Sequence, residues 1–487
     1  MKKYLLILEV SQKQSFIFRS KKLKNNIAAS DMIRYVTDSE FYSKADSNFS
    51  EDNIVYSGGG HSVLAFETRE RAYEFAKNIS RKIREISSHL EMFTKITPID
   101  PEKSNSENIK ELIKQLEIKK SIRKASFSQG TFGVEAFDFN RLMADKDEKI
   151  YSVPEDFSHK TDTDSREKSI IGDYEMPYEL EKLGGTKNKS NFIAVVHIDG
   201  NRMGARVAEF DTSLACSSYE NFDEYASEKR AFSESIDRDF TDSYMEMVET
   251  VKKKIDEGKL DALNLTTCFP VRRIVMAGDD ICFVTEGRIG IECAAEYIRI
   301  LGTKKNSVDG KPYSACAGVA IVHNKYPFYK AYKLAEELCD NAKRTAAGKA
   351  PDDAKDYYTS VIDWHIEYGE IYGSAAEQRN SSVQQNDDAF ALYSRPYIIS
   401  SSLDTNKEES YEGFLSMLSD VQRYKDGGEG SETPLAARSK LKKLRNTLKS
   451  GKSAAEEYCR EARIDNTIKV CSRTFDALEI MDTFIRF

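Results

Sequence analysis

The sequence predicts an α+β fold that contains two related sheet-and-helix domains and a small all-α domain at the C-terminal end. Three observations lead to this prediction: an apolar hairpin pattern occurs twice, an amphipathic helix follows each copy, and strand patterns stop near residue 400. A chain of 487 residues is also too long for a single hydrophobic core, so several domains are expected.

The two hairpin patterns read "IVYSGGGHSVL" at residues 54–64 and "IVMAGDDICFV" at residues 274–284. Each is an apolar strand, a tight turn of small residues and a second apolar strand, which is typical of a β-hairpin. Three positions recur at a constant offset of 220 residues (274 − 54 = 220), namely Ile54, Val55 and Gly58, which become Ile274, Val275 and Gly278. The chain therefore carries an internal repeat.

An apolar strand also precedes each hairpin: "YLLILEVS" ends at Ser11, and "FIAVVHID" ends at Asp199. The second hairpin and its helix are followed by the strand "SACAGVAIVH" and by a helix over about 327–346. The order βααββαβα, with helices covering one face of the sheet, indicates an α+β domain of ferredoxin-like or palm type.

Composition changes along the chain predict the domain limits. The stretch 141–190 is polar and aperiodic, which favours a linker or a surface excursion, and 219–256 is charged and helical. The predicted units are a first ferredoxin-like domain at 1–140, the linker at 141–190, a second domain with a helical insertion at 191–400, and a helical domain at 401–487.

The overall composition, 40% hydrophobic and 31% charged, is that of an ordinary soluble protein, and no apolar run is long enough to cross a membrane. The opening "MKKYLLILEV" has too short an apolar run for a signal peptide, so a cytoplasmic location is expected. The eight cysteines form no CxxC pair, which argues against a zinc ribbon. A net charge of −8 (72 − 80) argues against a general nucleic-acid coat but leaves a local basic groove open.

Three acidic residues are the candidate catalytic and metal-binding residues. Asp199 ends an apolar strand, and "AGDD" places Asp279 and Asp280 on the turn of a hairpin that would pair beside that strand. Carboxylates brought together in this way repel one another unless a cation lies among them. Oxygen ligands suit Mg²⁺ or Mn²⁺, and a two-metal site would activate an attacking hydroxyl and stabilise a leaving pyrophosphate.

Other residues near these acids are candidates for nucleotide binding. A tight turn is possible at Gly278, and "GNRMG" could present backbone N–H groups to phosphates at a helix start. Late in the following helix, Lys343 could return to the same edge, with Arg344 as a weaker candidate. The predicted nucleotide-binding residues are Gly200, Asn201, Arg202, Met203, Gly204, Gly278, Lys343 and Arg344.

Each feature also has a simpler interpretation. A Gly-Asp-Asp tripeptide alone is usually a turn, a strand-final Asp is often a helix N-cap, and Lys343 alone is most simply a solvated lysine. The combination of a strand ending in Asp, a helix, and a strand–GDD–strand unit in one predicted sheet favours the functional interpretation.

At these residues the sequence resembles the large polymerase/cyclase-like palm-domain subunit of type III CRISPR effector complexes, where "AGDD" stands in place of a GGDD signature. The resemblance extends to residues 314–344, to "VIDWH" at 361–365, to "SRPY" at 394–397, and to the N-terminal "SQKQSFIFRSKKLKNNIAASDMI". The chain more distantly resembles GGDEF diguanylate cyclases, in which a phosphate-binding lysine would lie at the position of Lys343.

This resemblance implies that the second palm domain binds two ATP molecules and divalent metal. It would join ATP by 3′–5′ linkages into cyclic or linear oligoadenylate signals for antiviral defence and release pyrophosphate. Asp199, Asp279 and Asp280 would then be metal ligands, while Lys343 and the "NRMG" backbone would contact the triphosphate. The partners implied are subunits of a guide-RNA complex.

The sequence also departs from the family pattern. It contains no His-Asp dipeptide, so the family's HD nuclease domain is not expected, and the zinc-binding cysteine pairs are absent. The first hairpin turn, Gly58 to His61, carries no acid, which makes the first palm domain degenerate and suggests a structural role or help in holding the second nucleotide. His61 is interpreted either as a phosphate contact or as an ordinary turn histidine.

A basic cluster near the C-terminal end has two interpretations: a contact for target RNA or a partner subunit, and the solvated face of a helix. Its members are Arg438, Lys440, Lys442, Lys443, Arg445 and Lys449. Two alternatives to the adenylate-joining enzyme also stay open: a non-catalytic palm scaffold that binds a nucleotide, and a cyclase that uses GTP or mixed nucleotides. The sequence predicts no oligomeric state.

Overall fold

The computed structural model of the chain combines helices with two β-sheets, which confirms the predicted mixture of α and β structure. The structure describes residues 2–87, 90–122, 162–183, 191–214, 218–348, 358–369, 374–381, 390–401, 405–426, 438–464 and 468–487. Most of the predicted linker 141–190 and Cys216 lie outside the described residues.

The first sheet has four strands, and the predicted first hairpin forms two of them. Its strands are β1 (Tyr4–Val10), β2 (Ile54–Gly58), β3 (His61–Phe66) and β4 (Met92–Pro98). The accompanying helices are α1 (Lys13–Ile17), α2 (Leu23–Tyr35), α3 (Ser39–Ala45), α4 (Arg69–Ile86) and α5 (Asn105–Ser121). The apolar face predicted for the helix after the hairpin is buried along α4.

The second sheet has six strands. Between the two sheets the chain forms α6 (Asp162–Ile171) and α7 (Leu180–Leu183). The strands are β5 (Phe192–Gly200), β6 (Val271–Ala277), β7 (Asp280–Glu286), β8 (Ala315–His323), β9 (Thr359–Ile366) and β10 (Tyr397–Ser401). The helices are α8 (Met203–Ser213), α9 (Phe222–Asp256), α10 (Gly290–Thr303), α11 (Phe328–Gly348) and α12 (Ala375–Ser381).

The two sheets repeat one strand order. The first runs β2-β3-β1-β4, and the second contains β6-β7-β5-β8 in the same relation. In both, the strand that precedes the hairpin is central and antiparallel to its two neighbours. The second sheet continues with β9, which is parallel to β8, and with β10. The sequence repeat is therefore also a structural repeat.

Helix α9 confirms the predicted charged helical insertion and contacts both halves of the protein. It packs against β2 of the first sheet and against α10 of the second. Near its start, Arg230 Nε donates to the Ile54 carbonyl at 3.1 Å. Further along, Tyr297 of α10 donates to the Phe240 carbonyl of α9 at 3.1 Å. One long helix thus spans the two sheets.

Strand β5 is buried on both faces because its alternate side chains enter different cores. Ala194, Val196 and Ile198 pack with α9 and α10 residues, while Ile193 and Val195 join a core that includes residues of the first sheet. Packing on both faces restricts the movement of β5, and therefore of Asp199, which is the second-last residue of this strand.

The stretch 141–190 was expected to be a linker or surface excursion, and the part that the structure describes is in fact packed. Glu167 of α6 is buried and forms an ion pair with the buried Arg272 of β6. Asp164, one turn earlier, lies 2.8 Å from Arg272 and 2.9 Å from Arg273. Two buried guanidinium groups require such partners, because unpaired buried charge is costly. The four predicted domain limits stay predictions.

The described residues after 405 form helices: α13 (Tyr411–Asp426), α14 (Arg438–Leu448), α15 (Lys452–Ala462) and α16 (Ser472–Ile480). They pack on the sheet as well as on each other. The ring centres of Phe414 in α13 and Trp364 in β9, for example, lie 4.9 Å apart. The described cysteines are free thiols. None of the described helices has the length and apolar character needed to cross a bilayer.

Candidate functional site

The register of the second sheet brings the three acidic residues to one end. In the antiparallel ladder between β5 and β7, Asp199 is directly opposite Asp280. The Gly200 amide donates to the carbonyl of Asp279 at 3.2 Å, which ties the hairpin turn to the end of β5. The predicted juxtaposition of strand end and turn is confirmed for the backbone.

Two glycines make this arrangement possible. Gly278 has φ +64°, a left-handed conformation that glycine adopts at little cost. At Gly200 an added β-carbon would lie 2.7 Å from Met203 Cγ and 3.0 Å from Asp279 Cβ. The end of β5 and the turn therefore approach as closely as a residue without a side chain allows.

Lys343 reaches the acidic residues as predicted. Helix α11 packs along β8 and ends near the same edge, where Lys343 Nζ lies 2.5 Å from Asp199 Oδ2. Although burial opposes the charged form, the hydrogen bond with Asp199 raises the pKa of Lys343 above its usual value. Arg344 lines a separate cavity with Asp363 and Arg379, and its predicted contact with a nucleotide stays a prediction.

The carboxyl groups of the hairpin turn are not in ordinary environments. Burial and the negative charge of Asp199 raise the pKa of Asp279 to about 6. Burial also raises the pKa of Asp280, an effect that the His197 ring partly offsets. Asp280 Oδ1 is buried, lies 3.5 Å from His197 Nδ1 and accepts no hydrogen bond from the described residues. These are carboxylates that a cation would stabilise.

The donor chemistry fits a hard divalent cation. Three carboxylates lie together where β5 ends and β7 begins, and the buried Asp280 Oδ1 has no hydrogen-bond partner among the described residues. As placed, however, no three acid, histidine or cysteine side chains of the described ranges form a metal-binding group. The Lys343 ammonium instead lies against Asp199. The structure brings the predicted ligands to one place without arranging them as a ligand set.

Two cavities open beside the turn, one near each of its acids. The larger, about 460 Å³, is lined by Asp279 and by residues of the first hairpin, including His61. The smaller, about 180 Å³, is lined by Asp280. Gly59 and Ala277 line both cavities, and a β-carbon on Gly59 would lie 3.5 Å from Ala277 Cβ. The two hairpin turns therefore meet between the cavities.

Of the residues that follow Asp199, Asn201 anchors the loop, whereas Met203 and Gly204 line the larger cavity. The Asn201 side chain donates to the Thr359 carbonyl at 2.7 Å and to Ser314 Oγ at 3.2 Å, so it anchors the loop to the neighbouring strands. Arg202 is left-handed with φ +56° and lies 3.8 Å from Glu209. Met203 and Gly204 begin α8 and line the larger cavity. Helix α8 thus starts beside Asp279.

Sequence reasoning missed several residues around the larger cavity. Lys229 and Asp211 form a buried ion pair at 2.5 Å and line its wall. Asp237 accepts a hydrogen bond from the Gly278 amide at 3.1 Å. These side chains come from α8 and α9, where charged residues at helical spacing resemble a solvated face. No sequence signal marks them as inward-facing.

His61 lies in the larger cavity, and its Nε2 has no hydrogen-bond partner among the described residues. Burial lowers the pKa of His61 to about 4, against the opposing effect of Glu9, so the ring is neutral near pH 7. A neutral imidazole with a free nitrogen can donate to or accept from a ligand, so both sequence interpretations of His61 stay open.

The predicted basic cluster lies on and just after α14 and is partly paired within the chain. Arg438 Nη2 lies 2.6 Å from Asp482 Oδ2, and Lys440 donates to the Ala462 carbonyl at 3.0 Å. Lys443 Nζ lies 5.0 Å from the centre of the Tyr458 ring. These contacts favour a helix face that packs and is solvated, and they leave contact with RNA a prediction.

Part of the chain is similar to a known protein family. The family model described as "Cas10/Cmr2, second palm domain" matches residues 192–350, which include all three acids and Lys343. No curated protein matches the sequence.

Solved structures of similar fold include the Csm1–Csm4 cassette in three states. With cA4 the TM-score is 0.57 at 14% identity, covering 100% of this chain and 70% of that one. With cA3 the values are 0.56 and 14%, covering 99% and 69%. With one ATP they are 0.55 and 15%, again covering 99% and 69%.

This chain spans only about half the length, 53%, of the matched chain in the apo Csm1–Csm4 cassette. At these identities the structures establish a common fold. The family match over residues 192–350, which contain Asp199, the Asp279–Asp280 turn and Lys343, shows that this part of the chain is similar to the second palm domain of Cas10/Cmr2 proteins.

Proposed function

We propose that the protein is a metal-dependent nucleotidyltransferase that joins ATP through 3′–5′ linkages into cyclic or linear oligoadenylates and releases pyrophosphate. One observation carries the proposal: Asp199 and Asp280 are paired across a ladder, with Asp279 and Lys343 at the same end, in a Cas10-like palm domain. A cavity of about 460 Å³ beside them is within the usual size for a small-molecule site.

The residues of the site would divide the work. The Lys343 ammonium, paired with Asp199 in the free protein, would bind the triphosphate. Backbone N–H groups at the start of α8, near Met203 and Gly204, would support the phosphates, because a helix N-terminus favours negative charge. The walls of the larger cavity, including residues of the first hairpin, would hold a nucleoside.

Asp199, Asp279 and Asp280 would hold Mg²⁺ or Mn²⁺. When bound, the metal would favour ionisation of the attacking 3′-hydroxyl and neutralise charge on the departing pyrophosphate. The raised pKa of Asp279 supports this assignment, since carboxyl groups crowded in a buried position gain stability from a cation.

The similar structures suggest ligands and partners. The Csm1–Csm4 cassettes contain ATP, cA3 or cA4. By analogy we propose that this chain binds ATP and its oligoadenylate products, works in CRISPR-type defence, and assembles with a Csm4-like subunit of a guide-RNA complex. The basic cluster of α14 is a candidate contact for target RNA.

The test is incubation of the purified protein with MgCl₂ or MnCl₂ and each of the four nucleoside triphosphates, with pyrophosphate release and product mass as readouts. We expect oligoadenylates from ATP, and loss of at least about a thousandfold in rate for the Asp279→Asn, Asp280→Asn double variant. Asp242→Asn, which removes a partly exposed partner of Arg166, is the matched control. No pyrophosphate from any triphosphate would contradict the proposal, while products from GTP would reassign the substrate.

A non-catalytic nucleotide-binding scaffold is a second candidate, because the Lys343 ammonium already compensates the charge of Asp199. Calorimetric titration with ATP separates the two. Binding that needs no metal and releases no pyrophosphate would favour the scaffold, whereas binding that depends on metal and on Asp279 would favour the enzyme.

A further inference from the structure

Asp237 lies in the middle of α9. It connects the acidic hairpin, which is formed by β6, β7 and the Asp279–Asp280 turn between them, to helix α2 in the first half of the protein. One carboxylate oxygen, Oδ1, accepts from the Gly278 amide at 3.1 Å. The other, Oδ2, accepts from Arg34 Nη2 at 3.3 Å. We propose that Asp237 is a positioning residue that holds the Asp279–Asp280 turn for nucleotidyl transfer, an inference that rests on the proposed function.

The contact with the turn is specific. Gly278 immediately precedes Asp279, and its left-handed backbone aims the amide at Asp237. A carboxylate that accepts from a backbone N–H makes a charge-assisted hydrogen bond, which is stronger than a neutral one. Because the turn is short, fixing the Gly278 amide also limits the movement of the two residues that follow it.

The contact with the first half of the protein comes through α2. Arg34 and Asp31 lie one turn apart on this helix, and Asp31 forms a buried ion pair at 2.8 Å with Arg273 of β6. Helix α2 is thus bonded to the acidic hairpin twice: directly at its first strand, and through Asp237 at its turn. The first domain has no acids on its own hairpin turn, yet it supports the turn that does.

The simpler view is that Arg34 and Asp237 form an ordinary surface ion pair. Their side chains are 40% and 37% exposed, and exposed pairs contribute little by themselves. The bond to the Gly278 amide distinguishes the two views, because a surface pair would leave the turn unchanged when Asp237 is replaced. It also predicts a graded response, since asparagine keeps an oxygen for the amide but loses the charge.

The experiment compares Asp237→Ala and Asp237→Asn with the Asp242→Asn control on the same helix. Hydrogen exchange of the 274–281 segment in the metal-free protein is the first readout. We expect the Gly278 amide to exchange about tenfold faster in Asp237→Ala, and to stay within about threefold of wild type in the other two. The second readout is steady-state kinetics with ATP and MnCl₂. We expect kcat to fall by about 10- to 100-fold in Asp237→Ala with little change in KM, and less in Asp237→Asn.

Unchanged exchange at Gly278 in a folded Asp237→Ala protein would overturn the inference whatever the activity. Equal kcat for Asp237→Ala and the control would do the same. If wild type releases no pyrophosphate while exchange at Gly278 rises only in Asp237→Ala, the hydrogen bond is upheld but its role in transfer fails together with the proposed function. Should Asp237→Ala not fold, Asp237→Asn must still show a lower kcat than the control.

Discussion

The Lys343 ammonium lies 2.5 Å from Asp199 Oδ2, although the two residues are far apart in the chain. Helix α11 brings the lysine back to the end of β5, where it forms an ion pair with this acid. The ammonium and a divalent cation therefore compete for the same carboxylate. That competition has a measurable consequence, because the lysine is also the proposed ligand of the triphosphate.

Replacing Lys343 by methionine should separate these two effects. Without the ammonium, Asp199 is free for a cation, so Mn²⁺ should bind the nucleotide-free protein about 3- to 10-fold more tightly, as expected for loss of one partly buried competing charge. The rate of pyrophosphate release should nevertheless fall by about a hundredfold, because a phosphate contact is lost. Mn²⁺ titration by electron paramagnetic resonance and a pyrophosphate assay measure the two quantities.

Lys343→Arg is the control, since it retains the positive charge. Its Mn²⁺ affinity should stay close to that of wild type. Weaker Mn²⁺ binding in Lys343→Met than in wild type would contradict the competition.

Gly200→Ala should damage the site by steric overlap. The new methyl group would lie 2.7 Å from Met203 Cγ and 3.0 Å from both Asp279 Cβ and Phe240 Cζ. Overpacking of this kind typically costs about 1–3 kcal/mol in the free energy of unfolding. Because the new methyl group would displace Asp279 at its Cβ, the rate of pyrophosphate release should fall as well. Chemical denaturation and the pyrophosphate assay test the prediction.

Gly204→Ala is the matched control for stability, since nothing lies within 4 Å of its added β-carbon and the residue is helical. Alanine there should leave stability unchanged or raise it by up to about 1 kcal/mol. If Gly200→Ala were as stable as Gly204→Ala, the close approach of β5 to the turn would be in doubt.

Much of the candidate site follows from local sequence patterns. Two apolar strands and a small-residue turn predict the hairpin, and its register with the preceding strand then places Asp199 near Asp279 and Asp280. Lys343 is predictable because it lies late in the helix that follows β8, and such a helix runs back along the sheet to the end where Asp199 lies. These inferences need only distances along one or two elements.

The contacts that sequence does not predict join elements distant in the chain. Asp237 and Lys229 belong to a charged helix whose composition indicates a solvated face, yet both line the larger cavity. Arg344 follows Lys343 but faces another cavity, because adjacent helical residues point about 100° apart. Burial of Glu167 could not be inferred either, since its partner Arg272 lies in a strand 105 residues away.

Glu167→Gln should therefore destabilise the protein. Glu167 is 1% exposed, pairs with Arg272 and accepts from the Tyr244 hydroxyl at 2.8 Å. Removing the charge leaves a buried guanidinium undercompensated, and breaking a buried pair typically costs about 3–5 kcal/mol. Since Asp164 still lies beside Arg272 and glutamine keeps a hydrogen-bonding oxygen, we expect about 2–3 kcal/mol by urea denaturation.

The exposed Glu179 nearby, changed to glutamine, serves as the control and should alter stability by less than about 0.5 kcal/mol. Equal stability of the two variants would indicate that the 162–171 helix does not depend on this ion pair.

His61 should make the stability of the protein fall in mild acid. Its folded-state pKa is about 4, below the ordinary value of 6.5, chiefly because the ring is buried. Lys13 and Lys120 further disfavour the proton, whereas Glu9 and Glu117 favour it. Between pH 6.5 and 4 the unfolded chain therefore binds a proton that the folded chain excludes, so stability decreases as the pH falls through this window.

His61 Nε2 is buried but the residue as a whole is only half-buried, so solvent screens part of the effect and we expect it to be about 1–2 kcal/mol. Urea denaturation at a series of pH values should show a shallower loss of stability from pH 6.5 to 4 for His61→Gln than for wild type. His323→Gln, at the exposed end of β8, controls for the change of residue type and should retain the wild-type slope. Identical slopes for His61→Gln and wild type would mean that the ring takes up its proton without opposition from the fold, and that the wall of the larger cavity is open to water.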